Sequence, residues 1–231
     1  MQNSPSKLVE FKDKHKGKPG FIVGTGYSLN NVDVSKMCAS GVTFVCNAAA
    51  LTVPNPDYFM FCDGHIPYFA YYDSAIRAAK NVCCANLELK RHLKHIKPPI
   101  KKYLLDRKYD DRSNLKFDYA KLICGLNIAH VAAHFAWVCG CDPLILVGMD
   151  CDIAKGKYAI EASKLKRKPT WPFAAGPIQT PMLNGVDMYL ASSIAEWRRI
   201  KAQNPSINII NASSGSLDCF KRVNIEAYYK N

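Results

Sequence analysis

The chain has 231 residues, 48% of them hydrophobic, and its 31 Lys and Arg against 19 Asp and Glu give a formal charge of +12. That length suits one sizeable core and predicts a single domain, while the charge predicts anionic partners: nucleotides, nucleic acid or acidic membrane surfaces. Met1–Lys18 is lysine-rich with no apolar segment, and the longest apolar stretch, Ile128–Met149, is broken by His130, His134, Asp142 and Pro143. Neither a secretory signal nor a membrane span is expected, and a cytoplasmic location is.

In chain order, the first expected strand is Phe21–Val23, which runs into Gly24-Thr25-Gly26-Tyr27-Ser28-Leu29 and a helix capped by Asn31 or Asp33. Strands follow at Val42–Cys46 and Tyr58–Cys62, a helix at Ile66–Lys80, and a short strand at Asn81–Ala85. Residues 90–116 are crowded with Lys and Arg and broken by Pro98-Pro99, which predicts a basic flap over the sheet edge and not core. A helix over Gly125–Cys139 leads to a strand at Leu144–Val147. A second basic flap spans 154–181, then a helix at Asp187–Gln203 and a last strand at Ser206–Ile210. Strands alternating with helices predict an α/β fold: a Rossmann-like, doubly wound and mostly parallel sheet with flap insertions.

In such a sheet ligands bind beyond the carboxyl ends of the strands. The turn Gly24, Thr25, Gly26, Ser28 is a candidate phosphate cradle, because amides at a strand-to-helix turn can converge on an anion. Leu29 stands where a dinucleotide fingerprint needs glycine, Asn47 where it needs an acid, and no P-loop occurs. Asn47 closes the second strand with a carboxamide that suits a ribose, a base edge or a phosphate oxygen; capping the next turn is its plainer reading. Asp63, His65 and Asp150 follow predicted strands and are the candidate catalytic groups. Asp63 and Asp150 would also be the ligands of a Mg²⁺ ion. Asp152 sits similarly. His130 and His134 lack the Glu of a zinc helix and read as packed core residues.

Ten cysteines without a C-x-x-C spacing read as free buried thiols, not as a disulfide frame or zinc knuckle. Tyr103, Tyr109, Phe117 and Tyr119 interleave with basic residues, a pattern that permits base stacking, although a solvated surface is the simpler reading.

Taken in order, Gly24–Leu29, Asn47-Ala48-Ala49, Pro56-Asp57-Tyr58 before Asp63, Gly125–Ala129, Gly140–Asp150 and Ile210–Gly215 resemble the 6-hydroxymethylpterin pyrophosphokinase (MptE-like) group. That group includes the Maf flagellin-glycosylation proteins. More distantly the order is similar to that of bacterial sialyltransferases of glycosyltransferase family forty-two. The latter resemblance implies that Gly24, Gly26, Ser28, Asn47 and Gly125 hold the nucleotide of a CMP-sugar. Residues 151–206 contain no histidine, so those enzymes' catalytic histidine has no counterpart, and Tyr158 only stands in the region of their tyrosines. Compact relatives of this size resemble phage-encoded proteins, which implies the host cytoplasm.

Three functions stay open on these grounds. One is a glycosyltransferase with a nucleotide-sugar donor and an acceptor that is a glycan, a small molecule or nucleic acid. The second is a Mg²⁺-dependent pyrophosphokinase using ATP. The third is a nucleotide- or nucleic-acid-binding module without catalysis.

Overall fold

The computed structural model describes residues 7–151, 182–183 and 186–230. Asp152, Tyr158 and the second basic stretch lie outside the described residues. The elements are β1 (Gly20–Val23), α1 (Val34–Ser40), β2 (Val42–Cys46), β3 (Tyr58–Phe61), α2 (Tyr71–Ala78), β4 (Asn81–Cys84), α3 (Lys90–Leu93) and β5 (Lys101–Leu104). They continue with α4 (Ile128–Val138), β6 (Leu144–Val147), β7 (Met182–Leu183), β8 (Val186–Asp187), α5 (Met188–Gln203), β9 (Ile209–Asn211) and β10 (Lys221–Arg222). Of the two candidate caps for α1, Asp33 is the one used: its carboxylate accepts the Lys36 N–H at 3.0 Å.

Eight strands form one wholly parallel sheet in the order β10-β9-β6-β1-β2-β3-β4-β5, and β7 and β8 make a separate antiparallel ribbon. The apolar runs are continuous because both faces are covered: β1, β2, β3 and β6 are buried along their whole length. Ile22, Phe44, Tyr58, Met60 and Leu146 pack with Val131 and Phe135 of α4 and Trp197 of α5. Their alternates Phe21, Val23, Val45, Phe59 and Val147 pack with Met37 of α1 and Ala75 of α2. The chain winds outward from β1 to β5, then returns to lay β6 on the other side of β1. The topological switch point is therefore the gap between β1 and β6.

The first basic stretch differs from the expected flap. It supplies β5, the edge strand paired with β4, and it buries Leu93, Ile96, Leu105 and Leu115. Its lysines masked a sparse apolar pattern, since an edge strand needs only one well-covered face. β10 was absent from the expected elements: it is two exposed cationic residues held by pairing to β9, with no apolar period to reveal it. All ten cysteines are free thiols, and burial raises Cys84 and Cys141 to about 12. Among the described residues no helix is long and apolar enough to cross a membrane.

His130 and His134 are fully buried, as core histidines should be. His134 Nδ1 accepts the Ile123 N–H at 3.0 Å, which leaves Nε2–H to donate to the Asp118 carbonyl at 2.7 Å. His130 Nδ1 accepts the Asn127 N–H at 3.3 Å and completes the capping box of α4. Burial lowers their pKa values to about 3 and about 4 respectively, from 6.5. The unfolded chain therefore binds protons that the folded chain refuses, so this contribution to stability is intact above pH 6.5 and is lost on descent towards pH 4. Urea midpoints taken between pH 7 and pH 5 should fall with a slope equivalent to about two protons taken up on unfolding. A flat midpoint across that window would show that the two imidazoles titrate normally.

Candidate functional site

The carboxyl ends of the central strands are level: Val23 is paired with Val45 and with Val147, Cys46 with Met60, and Phe61 with Cys84. The turn after β1, Asn47 and Asp63 thus emerge at one edge of the sheet. The Gly24 N–H donates to the Val147 carbonyl at 2.8 Å and the Gly26 N–H to the Gly148 carbonyl at 2.7 Å. A Cβ on either glycine would come within 2.7 Å of the Gly148 oxygen, and one on Gly26 within 2.8 Å of the Asp150 carboxyl carbon. These glycines are required by the close approach of two backbones across the switch point.

Asp150 completes that junction. It is 5% exposed, its Oδ2 accepts the Ser28 N–H at 2.7 Å, and its Oδ1 accepts the Ser28 hydroxyl. Its carbonyl accepts the Ser216 N–H at 2.7 Å, and Gly215 beside it has φ +94°. The Met149 N–H donates to the Ser213 hydroxyl at 2.8 Å. Three turn amides expected to face a ligand, those of Gly24, Gly26 and Ser28, are therefore satisfied within the protein. The Thr25 N–H donates to no described residue.

Asn47 is the opposite case. Its backbone is left-handed, φ +49°, and its side-chain Oδ1 is buried without a hydrogen-bond partner among the described residues. Asp63 and His65 are exposed and adjacent: the His65 N–H donates to Asp63 Oδ1 at 2.8 Å, with Nδ1 at 3.4 Å from the same oxygen. Gly125 has φ +56°, and a Cβ there would lie 2.8 Å from that of His130, so it serves the entry to α4. Asn127 Oδ1 then accepts the Ala129 and His130 N–H groups at 3.0 and 3.2 Å.

Two features escaped the sequence. Arg107 is buried at 8% exposure, with Nη1 donating to the Cys124 carbonyl at 2.9 Å. In a run of solvated cations nothing marked it out. A cavity of about 420 Å³ borders the turn on its β9 side, lined among others by Ser28, Asn31, Ser213, Ser214, Arg222 and Asn224. Its walls come from segments far apart in the chain. For a divalent cation the described residues fit poorly: they hold no grouping of three His, Cys, Asp or Glu side chains, and both Asp150 oxygens already accept from Ser28.

The family model for MptE-like 6-hydroxymethylpterin diphosphokinases matches residues 1–156. The chain belongs to the MptE-like family. It is similar in fold to a Maf glycosyltransferase from Magnetospirillum magneticum AMB-1, with TM-score 0.55 and 16% identity over 96% of this chain. It spans 38% of the length of that protein. A second solved structure, the sialyltransferase CstII from Campylobacter jejuni in complex with cytidine-5'-monophosphate, gives TM-score 0.49 and 15% identity, covering 90% of this chain and 88% of that one. No curated protein matches the chain.

Replacing Asp150 by Ala strands the Ser28 donors in a buried junction and should cost about 2–3 kcal/mol of stability, given that hydrogen bonds to charged groups contribute about 1.5–3 kcal/mol. Denaturant unfolding measures this directly. A variant as stable as the parent would show that Asp150 does not hold the junction and would return it to the pool of free catalytic carboxylates.

Proposed function

We propose that this chain is a nucleotide-dependent transferase whose donor, a nucleotide sugar of the CMP-sugar type, lies over the carboxyl ends of β1 and β2. The observation that carries this reading is Asn47. A buried amide oxygen without a partner costs about 1–3 kcal/mol, and the left-handed backbone, which asparagine tolerates better than most residues, adds a smaller strain. Such strain at a strand end is maintained where a ligand relieves it. An acceptor atom calls for a ligand donor, so Oδ1 suits a ribose hydroxyl or the exocyclic amine of cytosine or adenine better than a phosphate. The Thr25 N–H, which donates to no described residue, is a turn amide available to a phosphate of that ligand.

Asp63 and His65 supply the base in this reading. The Asp63 carboxylate orients the imidazole through Nδ1–H, and Nε2 takes the proton of an acceptor hydroxyl. The acceptor oxygen bonds to the anomeric carbon as the bond from that carbon to the nucleotide phosphate breaks. The negative charge then leaves on the phosphate, where backbone donors and the cationic surface stabilise it.

The family description favours a second reading, ATP-dependent diphosphoryl transfer to a pterin. Magnesium would supply charge neutralisation for that reaction, but the described residues hold no grouping of three His, Cys, Asp or Glu side chains to bind it. Thermal shift against CMP, UDP, GDP and ATP, with and without Mg²⁺, separates the readings. Metal-independent stabilisation by CMP is expected. Stabilisation by ATP alone, only with Mg²⁺, would replace the first reading with the second, and an equal response to any polyanion would favour a binding module.

Asn47→Gly relieves the left-handed strain, so stability should hold or rise by up to about 1 kcal/mol. Its nucleotide affinity should nevertheless drop about tenfold, the worth of one hydrogen bond. Unchanged affinity would remove Asn47 from the site. Asp63→Asn should keep nucleotide binding while lowering turnover about 10²-fold, as loss of a general base does; full turnover would place the base elsewhere.

A further inference from the structure

The most unusual charge in the molecule is the one the proposed transfer does not use. Arg107 is nine-tenths buried at the carboxyl ends of β3, β4 and β5, and among the described residues it forms no ion pair. The nearby carboxylates are engaged elsewhere: Asp106 pairs with Lys121 at 3.0 Å and Asp118 with Lys108 at 2.6 Å. A buried guanidinium needs compensation, and among the described residues its hydrogen-bond partners are neutral groups. Nη1 reaches the Cys124 carbonyl, while burial pushes up the Cys62 thiol that faces the guanidinium, keeping it in the neutral form.

The arrangement of the other edge is more telling. Nε and Nη2, the pair of donors that grips a carboxylate or phosphate in a bidentate clasp, converge on one oxygen. That oxygen is the Tyr109 hydroxyl, at 3.1 and 2.8 Å, and it donates onward to the Ala85 carbonyl at 3.3 Å. Tyr109 itself is 37% exposed, and its ring lies 4.7 Å from the guanidinium carbon. A neutral phenol therefore occupies the place of an anionic oxygen. Leu87 and Leu126, each two residues along the chain from a carbonyl of this network, those of Ala85 and Cys124, are also exposed.

We infer that Arg107 is the core of an anion-binding site over β3–β5, which takes a phosphate ester or carboxylate carried on an apolar or aromatic body, with the Tyr109 hydroxyl as its placeholder. The ligand oxygen displaces the phenol, the guanidinium gains its counter-charge, and the freed ring covers the apolar part of the ligand. This site stands independently of nucleotide binding at Asn47, and lies at the edge where an acceptor would approach Asp63.

Phenyl phosphate, benzoate and inorganic phosphate are the probes, titrated calorimetrically into the full chain. The parent should bind phenyl phosphate more tightly than inorganic phosphate, and the better of phenyl phosphate and benzoate names the anionic group. Arg107→Lys keeps the charge but loses the clasp, and should weaken binding at least about tenfold. Arg107→Met should abolish it. Tyr109→Phe removes the placeholder and leaves the clasp empty, so phenyl phosphate should bind about fivefold more tightly, as expected for a charge-assisted pair freed of a competitor. Should Arg107→Met fail to fold, the Lys and Phe variants carry the test. Asn47→Gly should leave phenyl phosphate binding untouched. Parent-like affinity in Arg107→Lys, weaker binding in Tyr109→Phe, or loss in Asn47→Gly would each overturn the assignment.

Discussion

The junction between Ser28 and Asp150 is the constraint on which the working edge of this protein depends. It joins the turn after the first strand to the end of the strand that returns beside it, at the one place in the sheet where the winding reverses. Here the two loops must meet directly, so their backbones come within hydrogen-bonding distance and leave no room for side chains. A buried carboxylate then satisfies an amide and a hydroxyl from across the gap, which costs less than leaving any of the three unmet.

That arrangement changes how the edge should be understood. The amides of Gly24, Gly26 and Ser28 in the turn are already used across the junction. Beside it stand Asn47, whose side-chain Oδ1 is buried without a hydrogen-bond partner among the described residues, the exposed pair Asp63 and His65, and the buried guanidinium of Arg107. Each sits beyond the end of a different strand, and the level register of the parallel sheet puts them along one rim. The chain belongs to the MptE-like family and shares its fold with a Maf glycosyltransferase.

Most of the architecture was legible before any coordinates. Continuous apolar runs such as Phe21–Val23 and Leu144–Val147 have one stable home, a strand covered on both faces, and their alternation with helices dictates a parallel sheet. Asp33, as one of two candidate caps, and the buried histidines were likewise readable from local chemistry. The basic stretch over residues 90–116 was not, because at a sheet edge exposed lysines alternate with the few buried residues that matter. β10 was invisible for a related reason: its conformation comes wholly from the neighbour it pairs with.

The amino-acid order alone determined the fold class, the position of the glycine turn, and the set of polar residues that end strands, since each follows from local apolar pattern and turn chemistry. Only the tertiary structure decided which of those groups are available. Asp150 and Asp63 look alike in sequence, yet one is consumed by Ser28 and the other faces solvent. Arg107 looks like its solvated neighbours, yet it is buried and forms no ion pair among the described residues. Hydrogen-bond partners across 122 residues of chain cannot be read from spacing, because they are set by how the sheet brings distant ends together.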